Sequence, residues 1–157
     1  MRKEEVESLK GKLVFFDFDG TLSEYRFLNK VGPEELTGEF LYKLAFERIY
    51  DTIRPLSTMQ EVVKMLDPEK VYILGAITLN TEIEEKQEWL RKYYPSIKKE
   101  NMIFVNNSET KLEILEAYRQ KLNLDYKDIA FIDDKHSTIQ SAEKMGFIAY
   151  HPSTFVD

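Results

Sequence analysis

The sequence predicts an α/β protein built on a doubly wound, parallel, five-stranded sheet. Short apolar segments alternate along the chain with segments whose apolar residues recur at helical spacing. The apolar segments are nearly continuous, which is typical of strands that helices cover on both faces of a parallel sheet. Alternation of such strands with helices predicts the doubly wound arrangement.

Five segments have the character of buried strands. They are short, rich in β-branched and aromatic residues, and separated by the predicted helices. In chain order they are KLVFF at 12–16, VYILGAI at 71–77, MIFV at 102–105, IAFI at 129–132 and FIAY at 147–150.

Four helices are predicted from residues spaced three or four positions apart. Thr58 with Glu61, and Thr81 with Glu84, have the spacing of capping boxes, which predicts where the first two helices begin. Gly146 is expected to end the last helix. The helical stripes are Met59, Val62, Val63 and Leu66; Ile83, Gln87, Leu90 and Tyr94; Leu112, Leu115, Tyr118 and Leu122; and Ile139, Ala142 and Met145.

The segment between the first strand and the helix near residue 58 is too long for an ordinary connection. We interpret residues 23–54 as a small, mainly helical cap inserted over the carboxyl edge of the sheet. Residues 1–22 and 55–157 then form the core domain. Helical spacing inside the insertion is carried by Phe40, Leu41, Leu44, Ala45 and Ile49.

Composition excludes several classes of function. The 157 residues are 43% hydrophobic and carry a formal net charge of −6, which argues against a nucleic-acid partner. The absence of cysteine excludes disulfides and thiolate chemistry. No apolar run approaches a membrane span, and the charged N-terminus lacks the apolar centre of a signal peptide. We expect a cytoplasmic protein with no membrane partner, and no pattern indicates its oligomeric state.

Carboxylates follow two of the predicted strands. Asp17 and Asp19 come after the first strand, on one side of it, and Asp133 and Asp134 come after the fourth. Ligands of parallel α/β sheets bind at the carboxyl ends of the strands. If these two strands are neighbours, four carboxylates crowd one cleft and require a counter-ion, for which hard oxygen ligands favour Mg²⁺. The alternative is that these are simply solvated acidic strand ends. Because carboxylates follow two separate strands, this alternative is disfavoured.

These residues carry a resemblance to a known family. FFDFDGTL resembles the first motif of the haloacid dehalogenase (HAD) superfamily of phosphohydrolases. NNSETK places Lys111 at a helix start after the third strand, where the superfamily keeps its lysine, and AFIDD matches the acidic fourth motif. The resemblance covers about residues 11–150 and implies a HAD-like Rossmannoid core with a cap inserted after the first strand.

The resemblance implies a Mg²⁺-dependent phosphatase. Asp17 would attack phosphorus to form an aspartyl-phosphate, Asp19 would act as general acid and base, and Lys111 would stabilise charge on the phosphoryl group. Mg²⁺ would be held by Asp17, the backbone carbonyl of Asp19 and Asp133, with Asp134 orienting a water in the metal site. The expected substrate is a small phosphorylated metabolite, with a nucleotide as one candidate.

The second motif of the superfamily departs from its pattern here. It normally places Thr or Ser directly after the second strand to hold the phosphate, whereas this chain has Gly75 there and Thr78 three residues later. Either Thr78 supplies the hydroxyl, or Gly75 offers only its backbone N–H. The second case favours an alternative function, a catalytically weak HAD-like module that binds a phosphorylated ligand or partner. Arg26 in the insertion is a further candidate for substrate binding.

A local pattern points to one branch of the superfamily. The segment VYILGAITLNTEIEEKQEWLRKYYP is similar to the 5′(3′)-deoxyribonucleotidase-like proteins, in which an apolar strand precedes a helix with a Lys-x-x-Trp-Leu centre. Lys86, Trp89 and Leu90 occupy these positions. Packing in the core is the favoured alternative role for Trp89.

Overall fold

The computed structural model describes residues 1–25 and 48–157, and its centre is one parallel sheet of five strands. The strand order is β3-β2-β1-β4-β5, and every neighbouring pair is parallel. Both the fold class and the five predicted strands are confirmed. The strands are β1 (Leu13–Phe16), β2 (Val71–Ala76), β3 (Met102–Val105), β4 (Ile129–Ile132) and β5 (Ile148–Tyr150).

Helices connect and cover these strands. Within the described residues, no helix has the length and apolar character needed to cross a membrane. The α-helices are α1 (Lys3–Glu7), α2 (Ser57–Lys64), α3 (Thr81–Tyr93), α4 (Glu109–Lys121) and α5 (His136–Met145). Short 3₁₀ helices span Ile49–Thr52, Pro68–Lys70, Lys99–Asn101, Tyr126–Asp128 and Pro152–Phe155.

The apolar core lies on both faces of the sheet, because successive strand side chains point to opposite faces. On one face, Phe16 packs with residues of α2 and α3 that include Val62 and Trp89. On the other face, Phe15 packs with Leu115 of α4 and further residues of α5. This two-sided burial explains why the strands read as continuous apolar runs.

The two predicted capping boxes are wrong. Thr58 and Thr81 already lie inside α2 and α3, whose N-caps are Leu56 and Asn80, and neither N-cap side chain accepts a hydrogen bond. A residue within the first turn of a helix has helical backbone angles, so its hydroxyl is badly placed to cap the first free amides. The prediction for Gly146 is confirmed, because it ends α5 in the left-handed region at φ 109°.

The N-terminal helix α1 was not expected from the sequence. Its charged residues surround Val6, which is buried together with Leu9. The amide of Arg2 donates to the carbonyl of Phe155 at 2.9 Å, and this contact joins α1 to the C-terminal 3₁₀ helix. Two apolar residues three positions apart are too few to define a helical period.

The structure describes the two ends of the predicted insertion. Ser23 and Pro55 form an isolated antiparallel bridge, and the amide of Glu24 donates to the carbonyl of Arg54 at 2.9 Å. The two ends therefore lie side by side beyond the carboxyl end of β1. Ile49 begins a 3₁₀ helix. The other predicted helical positions, Phe40, Leu41, Leu44 and Ala45, lie outside the described residues.

Candidate active site

The acidic residues are positioned by the pairing of β1 with β4. The register joins Phe16 to Ile132, and the amide of Asp17 continues the pairing by donating to the Ile132 carbonyl at 2.9 Å. The amide of Asp133 donates to the carbonyl of Tyr150 at 3.1 Å in the same way. The two carboxylates therefore leave neighbouring strands at one edge of the sheet, which meets the condition on strand adjacency that the sequence left open.

A cavity of about 850 Å³ opens at this carboxyl edge. It contains most of the residues that the sequence singled out. Those that line it are Asp17, Asp19, Thr78, Lys111, Asp133 and Asp134. The predicted substrate-binding residue Arg26 lies outside the described residues.

Lys111 bridges two of the carboxylates. Its Nζ lies 2.6 Å from Asp17 Oδ1 and 3.0 Å from Asp133 Oδ2, and the residue is only 3% exposed. Burial disfavours the charged ammonium, but the two carboxylates outweigh it and raise the pKa of Lys111 to about 12. The Asn107 side chain accepts from the Thr110 amide at 2.9 Å, which fixes the first turn of α4 beside Lys111.

Among the described residues, the carboxylates of the site outnumber the cations that contact them. In this part of the chain Lys111 is the cation that contacts Asp17 and Asp133, while Asp134 lies beside both carboxylates. Burial raises the pKa of Asp17, and Lys111 opposes this rise. The pKa of Asp134 is raised to about 8, mainly by burial and then by the charge of Asp17. Such shifts indicate that the cluster favours a bound proton or a further cation.

Three carboxylates have the arrangement of a cation site. Asp17, Asp133 and Asp134 each offer one oxygen, and these oxygens lie within 4.8 Å of one another. The amide of Lys135 donates to Asp133 Oδ1 at 2.8 Å, which fixes that carboxylate. All-oxygen donor sets suit hard divalent cations, so the residues fit Mg²⁺.

The Asp19 side chain is directed toward α3 and the 3₁₀ helix at Ile49–Thr52. Lys86 Nζ lies 2.9 Å from Asp19 Oδ2, and the Tyr50 hydroxyl donates to Asp19 Oδ1 at 3.2 Å. Neither partner was assigned a role in the site from the sequence. The Lys-x-x-Trp-Leu spacing was the one signal at Lys86, and Trp89 of that pattern is a core residue that packs against Phe18.

The geometry separates the two alternatives for the second motif. Gly75 is paired with Phe104 inside β2, and a Cβ built on it would lie 3.3 Å from the Cβ of Phe18. It therefore faces the core and does not line the cavity, whereas Thr78 does. The amide of Ile77 still donates to a β3 carbonyl, so the pairing extends past Gly75. The described arrangement favours Thr78.

Three further residues shape the site. The Thr21 hydroxyl donates to Asp17 Oδ2 at 3.2 Å, and Tyr25 lines the cavity. Gly20 has φ 78°, in the left-handed region that favours glycine, and a Cβ on it would lie 2.3 Å from Asp134 Oδ2. The Asp-Gly-Thr signature was the signal for Gly20 and Thr21, although the sequence assigned no role to the threonine hydroxyl.

The comparisons with known proteins rest on structure alone. No protein-family model and no curated protein matches the chain. The fold is similar to a wild-type HAD family enzyme from Bacteroides thetaiotaomicron in complex with magnesium and inorganic phosphate, at 17% identity and a TM-score of 0.51, covering 93% of this chain and 96% of that one. A mutant of the same enzyme with the same ligands matches at 16% identity and a TM-score of 0.51, covering 88% of this chain and 92% of that one.

A dehalogenase structure matches similarly, at 15% identity and a TM-score of 0.51, covering 88% of this chain and 83% of that one. Identities this low bear on architecture rather than on chemistry. The agreement extends over most of each chain and includes the parallel sheet described above. The chain therefore has the HAD-like α/β fold.

Proposed function

We propose that the protein is a Mg²⁺-dependent, HAD-like phosphoric monoester hydrolase that acts through an aspartyl-phosphate on Asp17. The observation that carries this proposal is the buried bridge of Lys111 between Asp17 and Asp133, with Asp134 beside it. A similar fold in an enzyme crystallised with magnesium and inorganic phosphate supports it. The substrate is a small phosphorylated metabolite.

Asp17, Asp133 and Asp134 would hold the ion. When bound, Mg²⁺ supplies positive charge that offsets the repulsion between these carboxylates and a phosphate dianion. The remaining contributions come from the chain itself. Lys111 donates to Asp17 Oδ1 and Thr21 donates to Asp17 Oδ2, so both oxygens of the nucleophile are held in place.

The reaction proceeds in two displacements. An Asp17 oxygen attacks phosphorus, and the bond from phosphorus to the leaving oxygen breaks as Asp19 gives that oxygen a proton. Asp19 then takes a proton from the water that attacks the aspartyl-phosphate, and Asp17 and inorganic phosphate are released. Lys111 stabilises the charge that develops on the phosphoryl oxygens.

The cavity supports a substrate larger than phosphate itself. Its volume of about 850 Å³ can hold a nucleotide, and the nucleotidase-like pattern near Lys86 favours that candidate. Thr78 lines this cavity and would donate its hydroxyl to the phosphate. Gly75, the residue that favoured a catalytically weak binding module, lies outside the cavity, so the enzyme is the preferred function.

Hydrolysis of para-nitrophenyl phosphate, with and without Mg²⁺, tests the proposal. We expect turnover that depends on Mg²⁺ and that falls by about 1,000-fold or more in Asp17→Asn, because the nucleophile is lost. Asp128→Asn is the matched control, since Asp128 is an exposed aspartate at the amino edge of the same sheet. Substantial turnover by folded Asp17→Asn would overturn the mechanism.

A further inference from the structure

We propose that Lys86 is a positioning residue that holds the general acid and base Asp19 at the cavity. This inference rests on the proposed phosphatase function. Lys86 lies in α3, far along the chain from the Asp-x-Asp segment, and it does not line the cavity. It would therefore act through Asp19 rather than on the substrate.

Lys86 is a fully buried lysine whose ammonium group is held by specific partners. The residue is 0% exposed, and its Nζ contacts Asp19 Oδ2 at 2.9 Å and the carbonyl of Ala76 at 3.1 Å. The same nitrogen lies 5.0 Å from the centre of the Phe18 ring and 5.3 Å from that of Tyr50. Removing an ammonium group from water is costly unless it is paired and hydrogen bonded, and Asp19 is the nearest carboxylate.

A second contact holds the other oxygen of Asp19. The Tyr50 hydroxyl lies 3.2 Å from Asp19 Oδ1 and 3.4 Å from Glu82 Oε1. The pKa of Tyr50 is raised far above its ordinary range, mainly by burial and then by the charges of Asp19 and Glu82. Its hydroxyl therefore remains a donor. With Lys86 on one oxygen and Tyr50 on the other, rotation of the Asp19 carboxylate is restricted.

Glu82 joins this group to the wall that carries Thr78. Its Oε2 accepts from the amides of Thr78 and Leu79 at 2.7 Å each, and its Oε1 lies 3.9 Å from Lys86 Nζ. The first two turns of α3 therefore fix both the acid and base and the loop that faces the phosphate. A displacement of either by about 1 Å is enough to lower a rate substantially.

A general acid matters most when the leaving group is a poor one. An alkoxide must be protonated as it departs, whereas para-nitrophenolate leaves without this help. If Lys86 acts through Asp19, its removal should therefore damage the hydrolysis of an alkyl phosphate far more than that of an aryl phosphate. A purely structural role would lower both rates equally.

The experiment compares Lys86→Met with wild type on glycerol phosphate and para-nitrophenyl phosphate, both with Mg²⁺. General acid catalysis contributes about 10²–10⁴-fold, so we expect kcat/KM for glycerol phosphate to fall by about 10- to 100-fold, and that for the aryl ester by less than about threefold. Asp19→Asn should likewise lower kcat/KM more for glycerol phosphate than for the aryl ester, while loss of the base for the second displacement should lower kcat on both. The double variant should be no worse than Asp19→Asn alone. Tyr50→Phe should also lower kcat/KM more for glycerol phosphate than for para-nitrophenyl phosphate.

Asn101→Ala is the control for lost buried polar contacts. Asn101 is buried at the amino edge of the sheet, where its side chain donates to the Val71 carbonyl at 3.1 Å. The Asn101→Ala variant should have lower thermal stability than wild type, with no change in the ratio of the two kcat/KM values. Equal losses on both substrates in Lys86→Met, no loss on either, a gain, or losses that add to those of Asp19→Asn would overturn the proposal.

A crystal structure of Lys86→Met gives a readout that does not depend on activity. We expect the Asp19 carboxylate to leave its position beside Tyr50. A carboxylate that stays there would overturn the positioning role even if the wild-type protein hydrolyses nothing. Failure of the proposed function has its own signs. Either the wild-type protein shows no Mg²⁺-dependent turnover, or that turnover persists in Asp17→Asn.

Discussion

Lys111 Nζ and Asp17 Oδ1 lie 2.6 Å apart although 94 positions separate the two residues in the chain. The contact is buried, and the same ammonium also reaches Asp133. One lysine thus orients the proposed nucleophile and partly neutralises two carboxylates. Among the described residues negative charge remains at this cluster, and it should make the cluster responsive to a cation.

Asp133→Ala should weaken Mg²⁺ binding by at least about tenfold, because a hard cation loses one of three clustered carboxylates. Isothermal titration calorimetry of the two proteins with Mg²⁺ measures the change. Asp128→Asn should bind the ion as wild type does. Equal Mg²⁺ affinity in Asp133→Ala and wild type would show that the ion binds elsewhere.

Gly20→Ala and Gly11→Ala should have different consequences although both glycines have positive φ, 78° and 82°. A Cβ at Gly20 would lie 2.3 Å from Asp134 Oδ2 and 2.3 Å from the Tyr25 ring, whereas a Cβ at Gly11 meets nothing within 4 Å. Both variants should lose about 1 kcal/mol of stability for the left-handed backbone. Gly20→Ala should in addition lose most of its turnover and Mg²⁺ affinity.

Thermal melts, Mg²⁺ titrations and para-nitrophenyl phosphate kinetics on the two glycine variants distinguish these effects. Gly11→Ala serves as the backbone control, because it carries the same conformational strain without a clash. Wild-type kinetics in Gly20→Ala would mean that the close approach of the turn to Asp134 has no part in the site.

Thr78→Val should lower kcat/KM by about one to two decades, because a hydrogen bond to a charged group contributes about 1.5–3 kcal/mol. Gly75→Ser should bring no gain, since the new side chain would meet Phe18 and Phe104 rather than the phosphate. Steady-state kinetics and melting temperatures of both variants check this pair. A rise in kcat/KM for Gly75→Ser would assign the phosphate to Gly75 instead.

Without metal, the protein should become less stable as the pH rises from about 4 to about 8. The folded-state pKa of Asp134 is raised from 3.8 to about 8, so in this window the folded chain binds more protons than the unfolded chain. Stability is then fully present below about pH 4 and is lost as the pH rises through the folded-state pKa. The raised pKa of Asp17 acts in the same direction.

Melting temperatures measured in a chelator across this pH range test the linkage. Asp134→Asn should flatten the profile, because it removes the titrating group and one buried charge. Mg²⁺ should raise the melting temperature of wild type most at the alkaline end, where the carboxylates are ionised. A profile of Asp134→Asn that falls as steeply as that of wild type would assign the effect to other groups.

The parts of the site that the sequence predicted are those encoded in short, contiguous motifs. Asp17, Asp133 and Lys111 each follow a recognisable strand or open a helix, so their meeting follows from strand adjacency. The partners of Asp19 could not be predicted in this way. Lys86 and Tyr50 reach it from separate elements, and a lysine in a helix is ordinarily a solvated residue.

Two local predictions failed because position within an element matters more than residue spacing. The threonines of the supposed capping boxes lie inside their helices. For the second motif the sequence left Gly75 and Thr78 open, and Gly75 lies one residue before the end of β2, where β3 keeps the strand extended past it. Sequence alone cannot locate the end of a helix or strand to within one residue.

The bridge made by Lys111 also ties the proposed catalysis to the cooperativity of folding. Its partners Asp17 and Asp133 come together only when β1 and β4 have paired, and Lys111 reaches them only when α4 has packed on that face. Such contacts are non-local and form only after long loops have closed. A fragment or a partly folded chain cannot assemble the cluster, so the onset of Mg²⁺-dependent turnover during refolding should report completion of the sheet rather than formation of any single helix.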